Sequence, residues 1–275
     1  MALTEKYLNQ LIADKTALAN NLTTKGVTAS SEETFTELVP KVLDIQAGGN
    51  EITKGFIVNE FDENGFATDV TIVGITKIPD YYFAYACKNT GWLSKIGANL
   101  HFSNDVNSIG INAFESCTNL LITELSGNIT SISNNAFSGC TNLPLDKLPK
   151  NLTTLSYGAF YNCSSIQIKE IPVGITQLAD NVFRNCTNIR ELTCLGNIIL
   201  MNSACVRNTK LSKFVLPNIT SVPTLSNVDA FYNTPINDGS GYIYVPDTLV
   251  EDFKVASNWS TYASKIKGLS ELPTE

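Results

Sequence analysis

Between Val106 and Ile189 the apolar and polar positions form one pattern, written four times in register. An aromatic falls at Phe114, Phe137, Phe160 and Phe183, a constant step of 23 residues. Cys117, Cys140, Cys163 and Cys186 keep that step, as do Ile109, Ile132, Leu155 and Leu178. Within a copy the apolar positions follow neither the alternation of a free strand nor the 3.6-residue step of a long helix, so the pattern predicts short strands joined by corners. One such unit cannot bury its apolar face alone and gains a core only by stacking on its neighbours, which predicts a solenoid. Successive turns should lie about 4.8 Å apart, with the phenylalanines stacked along the axis. Leu120, Ile122 and Leu125 recur as Leu143, Leu145 and Leu148 and as Ile166, Ile168 and Ile171, one wall of the core.

Degenerate copies extend the array. Ile75, Ile78 and Phe83 match Val106, Ile109 and Phe114, and this first copy carries eight extra residues, with Cys87 one place off the ladder. Later, Ala204-Cys205 stands for Ala-Phe, with Asn208 at the cysteine's place. The last copy runs Leu211, Leu216, Ile219, Val222 and Ala230-Phe231, with four residues inserted before the aromatic. Repeats are therefore expected over residues 74–244.

Outside the repeats the periodicity changes. Leu8, Leu11, Ile12, Leu18 and Leu22 recur at helical spacing up to Gly26, and Ser30 and Glu33 form a capping box for a second helix carrying Phe35, Leu38, Val42 and Leu43. Residues 1–47 thus read as a helical hairpin or as an oligomerising stalk, closed by Gly48-Gly49. Residues 51–73 alternate around Asn64-Gly65 and predict a β-hairpin at the start of the repeats. Residues 245–275, with Leu249, Val250, Phe253, Trp259, Tyr262 and Ile266 apolar, predict a helical cap broken near Ser257 to Ser260 and a short tail. The fold class is mainly β: a right-handed solenoid of short strands with small helical segments at both termini.

The A-F-x-x-C-x-x-L signature at 23-residue spacing resembles the BspA-like leucine-rich repeats of bacterial and protist surface proteins, which implies a leucine-rich-repeat fold and a binding role. The segment from Ala2 to Ile45 resembles the N-terminal part of tail-associated proteins of phages and prophages of Gram-positive bacteria. That second resemblance implies a virion component, and hence a virion tail or an extracellular or cell-surface location.

A net charge of −7, without clustered Lys and Arg, excludes a nucleic-acid footprint. No stretch has the length of a membrane span, so membrane insertion is not expected, and no secretion signal is visible at the start. Ladder thiols one turn apart sit too far apart for disulfides, and their surroundings hold no zinc pattern, so all four are expected as reduced core fillers. The lone histidine, His101, lies between repeats and offers no catalytic partner. Asp146 and Glu170 could approach on adjacent turns, the only trace of a glycosidase-like acid pair. No catalytic residue, metal or cofactor is therefore expected.

What remains is surface. The outward positions of the wall strands read Leu121, Thr123, Glu124; then Pro144, Asp146, Lys147; then Gln167, Lys169, Glu170; then Arg190, Leu192, Thr193; and last Ser212, Phe214, Val215. This column varies while its buried neighbours repeat, as in an extended recognition face. Its expected partner is a protein or a cell-surface glycan, with self-association through the N-terminal helices. The function expected is non-enzymatic: a phage tail-associated host-surface-binding component, or a bacterial surface adhesin, with a glycan-cleaving enzyme a remote third.

Overall fold

The computed structural model describes residues 55–61, 67–84 and 99–273. The predicted N-terminal helices, the Asp62 to Gly65 turn and Cys87 lie outside those residues. Internal contacts divide the chain into residues 1–75 and 76–275.

In the first unit β1 (Gly55–Phe61) and β2 (Ala67–Val73) pair antiparallel, with register shifts at Val58/Glu60 and Glu60/Phe61. The alternation seen in the sequence is that of an antiparallel pair.

The second unit is a stack of turns. Each contributes a two-residue strand to the back of the stack: β3 (Lys77–Ile78), then β5 (Ser108–Ile109), β6 (Ser131–Ile132) and β7 (Thr154–Leu155) form a parallel ladder. Here β4 (Asn99–Phe102) intervenes in the chain and carries His101, exposed on a strand between the first two turns. Further along, β8 (Glu170–Ile171) belongs to the wall, and β9 (Gln177–Leu178), β11 (Leu200–Met201) and β13 (Thr224–Leu225) continue the back as a separate three-stranded ladder. The wall becomes a regular parallel sheet only from β8 onward, in the order β15-β14-β12-β10-β8, with β10 (Glu191–Cys194), β12 (Lys213–Val215), β14 (Tyr242–Val245) and β15 (Ile266–Gly268).

The core is a stack of side-chain columns. Phe83, Phe114, Phe137, Phe160 and Phe183 lie ring on ring, with centroids 4.7, 5.0, 5.3 and 5.8 Å apart and planes within 11°. All are buried. The thiols of Cys140, Cys163 and Cys186 each donate to the carbonyl of the preceding turn's phenylalanine, Phe114, Phe137 and Phe160, at 3.0–3.1 Å. Each of those carbonyls already accepts its own turn's cysteine N–H, so the thiol uses the remaining lone pair. Burial pushes these thiols well above their usual range. Cys117 departs from the expectation of four reduced ladder cysteines: it is disulfide-bonded, to a partner outside the described residues. The spacing argument excluded bonds only between cysteines in register, and that is where it fails.

The corners explain why asparagine is so frequent. Two positions, two residues before and two after each aromatic, adopt left-handed backbone: Asn112, Asn135, Gly158 and Asn181 before, and Ser116, Gly139, Asn162 and Asn185 after. Asparagine and glycine tolerate that conformation better than other residues. At Gly158 a Cβ would also fall 2.3 Å from Asn135 Oδ1. The amides then form a ladder of their own, Asn185 to Asn162 at 2.5 Å, Asn208 to Asn185 at 2.7 Å and Asn233 to Asn208 at 3.2 Å.

Two registers differ from the sequence reading. In the turn after Phe183 the step of 23 is unbroken: Phe183 N–H donates to Cys205 O as Phe114 N–H does to Ala136 O. Cys205 therefore takes the alanine's place, Val206 the aromatic's and Thr209 the cysteine's, with its hydroxyl bonded to Val206 O at 2.8 Å. Ala204 is the left-handed residue, with φ of 53°. In the last turn Leu225, paired with Met201, fills the inward position assigned to Val222. Most of the insertion thus lies before β13.

The end of the stack is closed by α1 (Pro235–Asp238), α2 (Val250–Val255) and the 3-10 segment Trp259–Lys265. On the back ladder, Asn107 O and Ile109 O accept the amides of the next turn, Thr130 and Ser133. The equivalent carbonyls of the last turn are those of Pro223 and Leu225. They accept Trp259 Nε1–H and Asn258 Nδ2–H, both at 2.7 Å. The indole is buried against Phe231 and Phe253, and the Tyr262 hydroxyl donates to Val228 O. The strand β15 was not anticipated inside the predicted helical cap. Its Gly268 N–H is taken by Glu271 Oε1 at 3.2 Å, which blunts that sheet edge.

Candidate recognition face

The wall follows the sequence closely in its first turns. Ile122, Leu125, Leu143, Leu145, Ile166, Ile168 and Ile171 are buried, while Thr123, Glu124, Asp146, Lys147, Gln167, Lys169 and Glu170 are exposed. Leu121 is half-buried, in an isolated parallel bridge with Asn99. Arg190 is exposed.

Leu192, Phe214 and Val215 are corrections, since all three are buried. In the earlier turns two exposed residues separate consecutive inward ones, as Lys169 and Glu170 separate Ile168 and Ile171. At β10 the wall becomes extended strand, whose side chains alternate between the two faces. Leu192 and Cys194 therefore point inward with Glu191 and Thr193 outward, and Phe214, paired with Leu192, follows it into the core. The sequence signal was available in the apolar pair Leu192 and Cys194 at period two.

An open groove of about 550 Å³ gathers five of the predicted face residues, Asp146, Lys147, Gln167, Lys169 and Glu170. Leu148, expected in the core wall but only half-buried, completes it with Lys150, Pro172, Val173 and Leu195, and none of these was anticipated on the face. Val173 is 68% exposed, unusual for its type, and with Leu148, Pro172 and Leu195 forms an apolar floor inside a rim of both charge signs. A smaller depression of about 310 Å³ adjoins it, lined by Gln167, Lys169, Arg190 and Glu191 among others. Leu121, Thr123 and Glu124 line neither.

Glu191, also missed from sequence, organises this face. Its two carboxylate oxygens meet Lys169 Nζ and Lys213 Nζ, each at 2.7 Å, on the turns either side. The hydrogen bonds from Lys169 and then Lys213 hold its carboxyl below the usual range. Farther along, Lys267 Nζ lies 4.2 Å over the Tyr242 ring. The groove can therefore take up an apolar side chain and pair charges at its rim. Among the described residues, no group of three or more His, Cys, Asp or Glu side chains is placed to hold a metal ion. No helix among them is long and apolar enough to cross a membrane.

Parallel short strands, inward columns at a 23-residue period and an exposed variable wall define a leucine-rich-repeat protein. More particularly, the chain belongs to the BspA type leucine rich repeat family, whose repeat region matches in six copies over residues 76–144 and 107–237, more than half of the sequence. No curated protein matches the chain. Among solved structures it is similar to a leucine rich cell surface protein from Faecalibacterium prausnitzii, at 20% identity and a TM-score of 0.51, over 70% of this chain and 53% of that one. This chain thus spans about half the length of that protein, and the likeness is one of fold. Two others are a leucine-rich repeat protein from Bacteroides ovatus, 18% identical with TM-score 0.41 over 72% of this chain and 60% of that one, and the T. pallidum leucine rich repeat protein, 20% identical with TM-score 0.33 over 59% and 83%.

Proposed function

We propose that the repeat unit is a non-enzymatic recognition module that engages a protein partner at a cell surface through the groove lined by Asp146, Lys147, Lys169, Glu170 and Val173. The observation that carries this reading is the convergence of variable charged residues around an exposed apolar floor, the composition of a protein-docking patch. The groove's lining holds no aromatic ring on which a sugar could stack, which favours a polypeptide over a glycan here. The test is the binding of fluorescently labelled protein to intact bacterial cells. Val173→Asp and Lys147→Glu should each reduce retention about tenfold or more, and protease shaving of the cells should abolish it. Retention unchanged by both substitutions sinks the reading.

The finer assignment, a tail-associated component of a phage or prophage, draws its support from the resemblance of residues 2–45. Light scattering on the full chain and on a shortened chain beginning after Gly49 tests it. An assembly that collapses to monomers without residues 1–49 favours the tail component. Monomers in both cases favour a bacterial surface protein.

A further inference from the structure

A second surface lies away from the groove, at the corner that follows each aromatic of the core column. The residue immediately after the aromatic position is Tyr161, Arg184, Arg207 and Tyr232 in four successive turns. The backbone keeps them in register, since Asn162 N–H donates to Arg184 O and Asn185 N–H to Arg207 O, each at 2.9 Å. Two arginines thus stand on adjacent turns, where like charges repel. Each guanidinium lies over a tyrosine ring of the adjoining turn, Arg184 over Tyr161 at 5.7 Å and Arg207 over Tyr232 at 4.5 Å.

Their charge is only half balanced. Arg207 meets Asp229 Oδ2 at 3.4 Å, while the other oxygen of that carboxylate is held by Ser203 Oγ and Ala204 N–H. Arg184 meets only a neutral oxygen, Asn181 Oδ1 at 3.2 Å, and has no carboxylate partner among the described residues. Both Nε atoms are buried without an acceptor, while the two side chains as a whole are half-buried, so packing and ring stacking fix them with part of each guanidinium open to solvent. Of the two rings, Tyr232 is 51% exposed. In a chain of net charge −7 this corner is a local cationic notch between aromatic rings.

We infer that the corner formed by Tyr161, Arg184, Arg207 and Tyr232 is a second binding site, specific for a saccharide that bears an oxyanion, a sulfate or phosphate ester. The oxyanion sits between the two guanidinium groups, which present planar forks suited to it. Tyr232, half exposed, supplies the stacking surface for the sugar ring that the groove lacks. The site uses no residue of the groove, so it stands or falls independently of that reading.

Calorimetric titration of the full chain with a sulfated oligosaccharide, a phosphorylated oligosaccharide, the neutral parent sugar and an oligoglutamate of equal charge tests the inference. The expected result is saturable binding of one or both anionic sugars, weakened about tenfold or more by Arg184→Gln and severalfold by Tyr232→Ala. Lys169→Glu, in the groove, should leave it unchanged. Which ester binds more tightly distinguishes sulfate from phosphate. Binding of neither, binding insensitive to Arg184→Gln, or an oligoglutamate that binds as tightly overturns the proposal. Should Arg184→Gln lower the melting temperature, Arg184→Lys keeps the charge, loses the fork and must show the same contrast.

Discussion

The turns carrying Phe114 to Phe183 and those that follow solve one problem by different means. In the first set, order comes from side chains: parallel rings, thiols bonded to ring-bearing carbonyls, and a wall that is barely strand. In the second the aromatic column stops at Val206, and a five-stranded parallel sheet from β8 to β15 takes over, closed by Phe231, Phe253, Trp259 and Tyr262. Backbone bonds ladder the back of both regions; the period is strict where identical side chains must also touch their counterparts, and loosens where the aromatic column ends and the wall too becomes a backbone-bonded sheet. Repeat fidelity therefore marks the places where side chains carry the stack.

The sharpest way to break the comparison is at its two anchors. Phe160→Ala removes a buried ring with ring neighbours on both sides and should cost about 3–5 kcal/mol, read as a lower urea midpoint. Trp259→Ala should cost a similar amount, since it also strips Pro223 O of its donor. Hydrogen exchange separates them: the first should release amides around residues 130–185, the second those of β13 and β14. Equal loss of protection in both regions by either variant would refute the division.

Val206→Phe tests whether the column stops by necessity. Phe231, in register with Val206, is already packed edge-on by Phe214 at 5.5 Å, so the added ring should overpack the core there and cost about 1–3 kcal/mol. A gain in stability would mean the column could continue.

Much of this was legible in the sequence for the same reason that the first region is regular. Phe114 to Phe183 and Cys117 to Cys186 announce themselves because each must match its neighbour. Leu192 and Phe214 were misplaced because the wall changes from kinked to extended, and a residue's facing then depends on backbone geometry that its identity does not encode. Ala204-Cys205 imitates Ala-Phe in letters only, whereas the asparagine step from Asn185 to Asn208 would have located the left-handed corner and with it the true register. Val173 and Glu191 escaped notice because their importance lies in neighbours two dozen residues away.

Smaller effects sharpen the picture on the surface. Glu191→Gln should cost less than about 1 kcal/mol, with the loss screened by salt, because the bridge is partly exposed. Its carboxyl is depressed in the folded protein, so the bridge contributes fully above the unfolded value, near pH 4.3, and fades as pH falls through the folded one. Parent and variant stabilities should therefore converge once the pH has fallen below the folded value. The smallest expected signal is none: with Cys163 driven up by burial, and Cys205 up to about 12, maleimide should leave the free core thiols unlabelled at pH 8 until urea unfolds the chain.

Trp259 and Asn258 reach the carbonyls that another turn's amides would have taken, so the terminus is a counterfeit of one more repeat. A lid built that way accepts whatever number of turns precedes it. Gain or loss of a whole 23-residue unit between Phe114 and Phe183 leaves every contact of the lid intact, so a gene of this kind can lengthen or shorten its product by recombination between copies while the two ends stay unaltered.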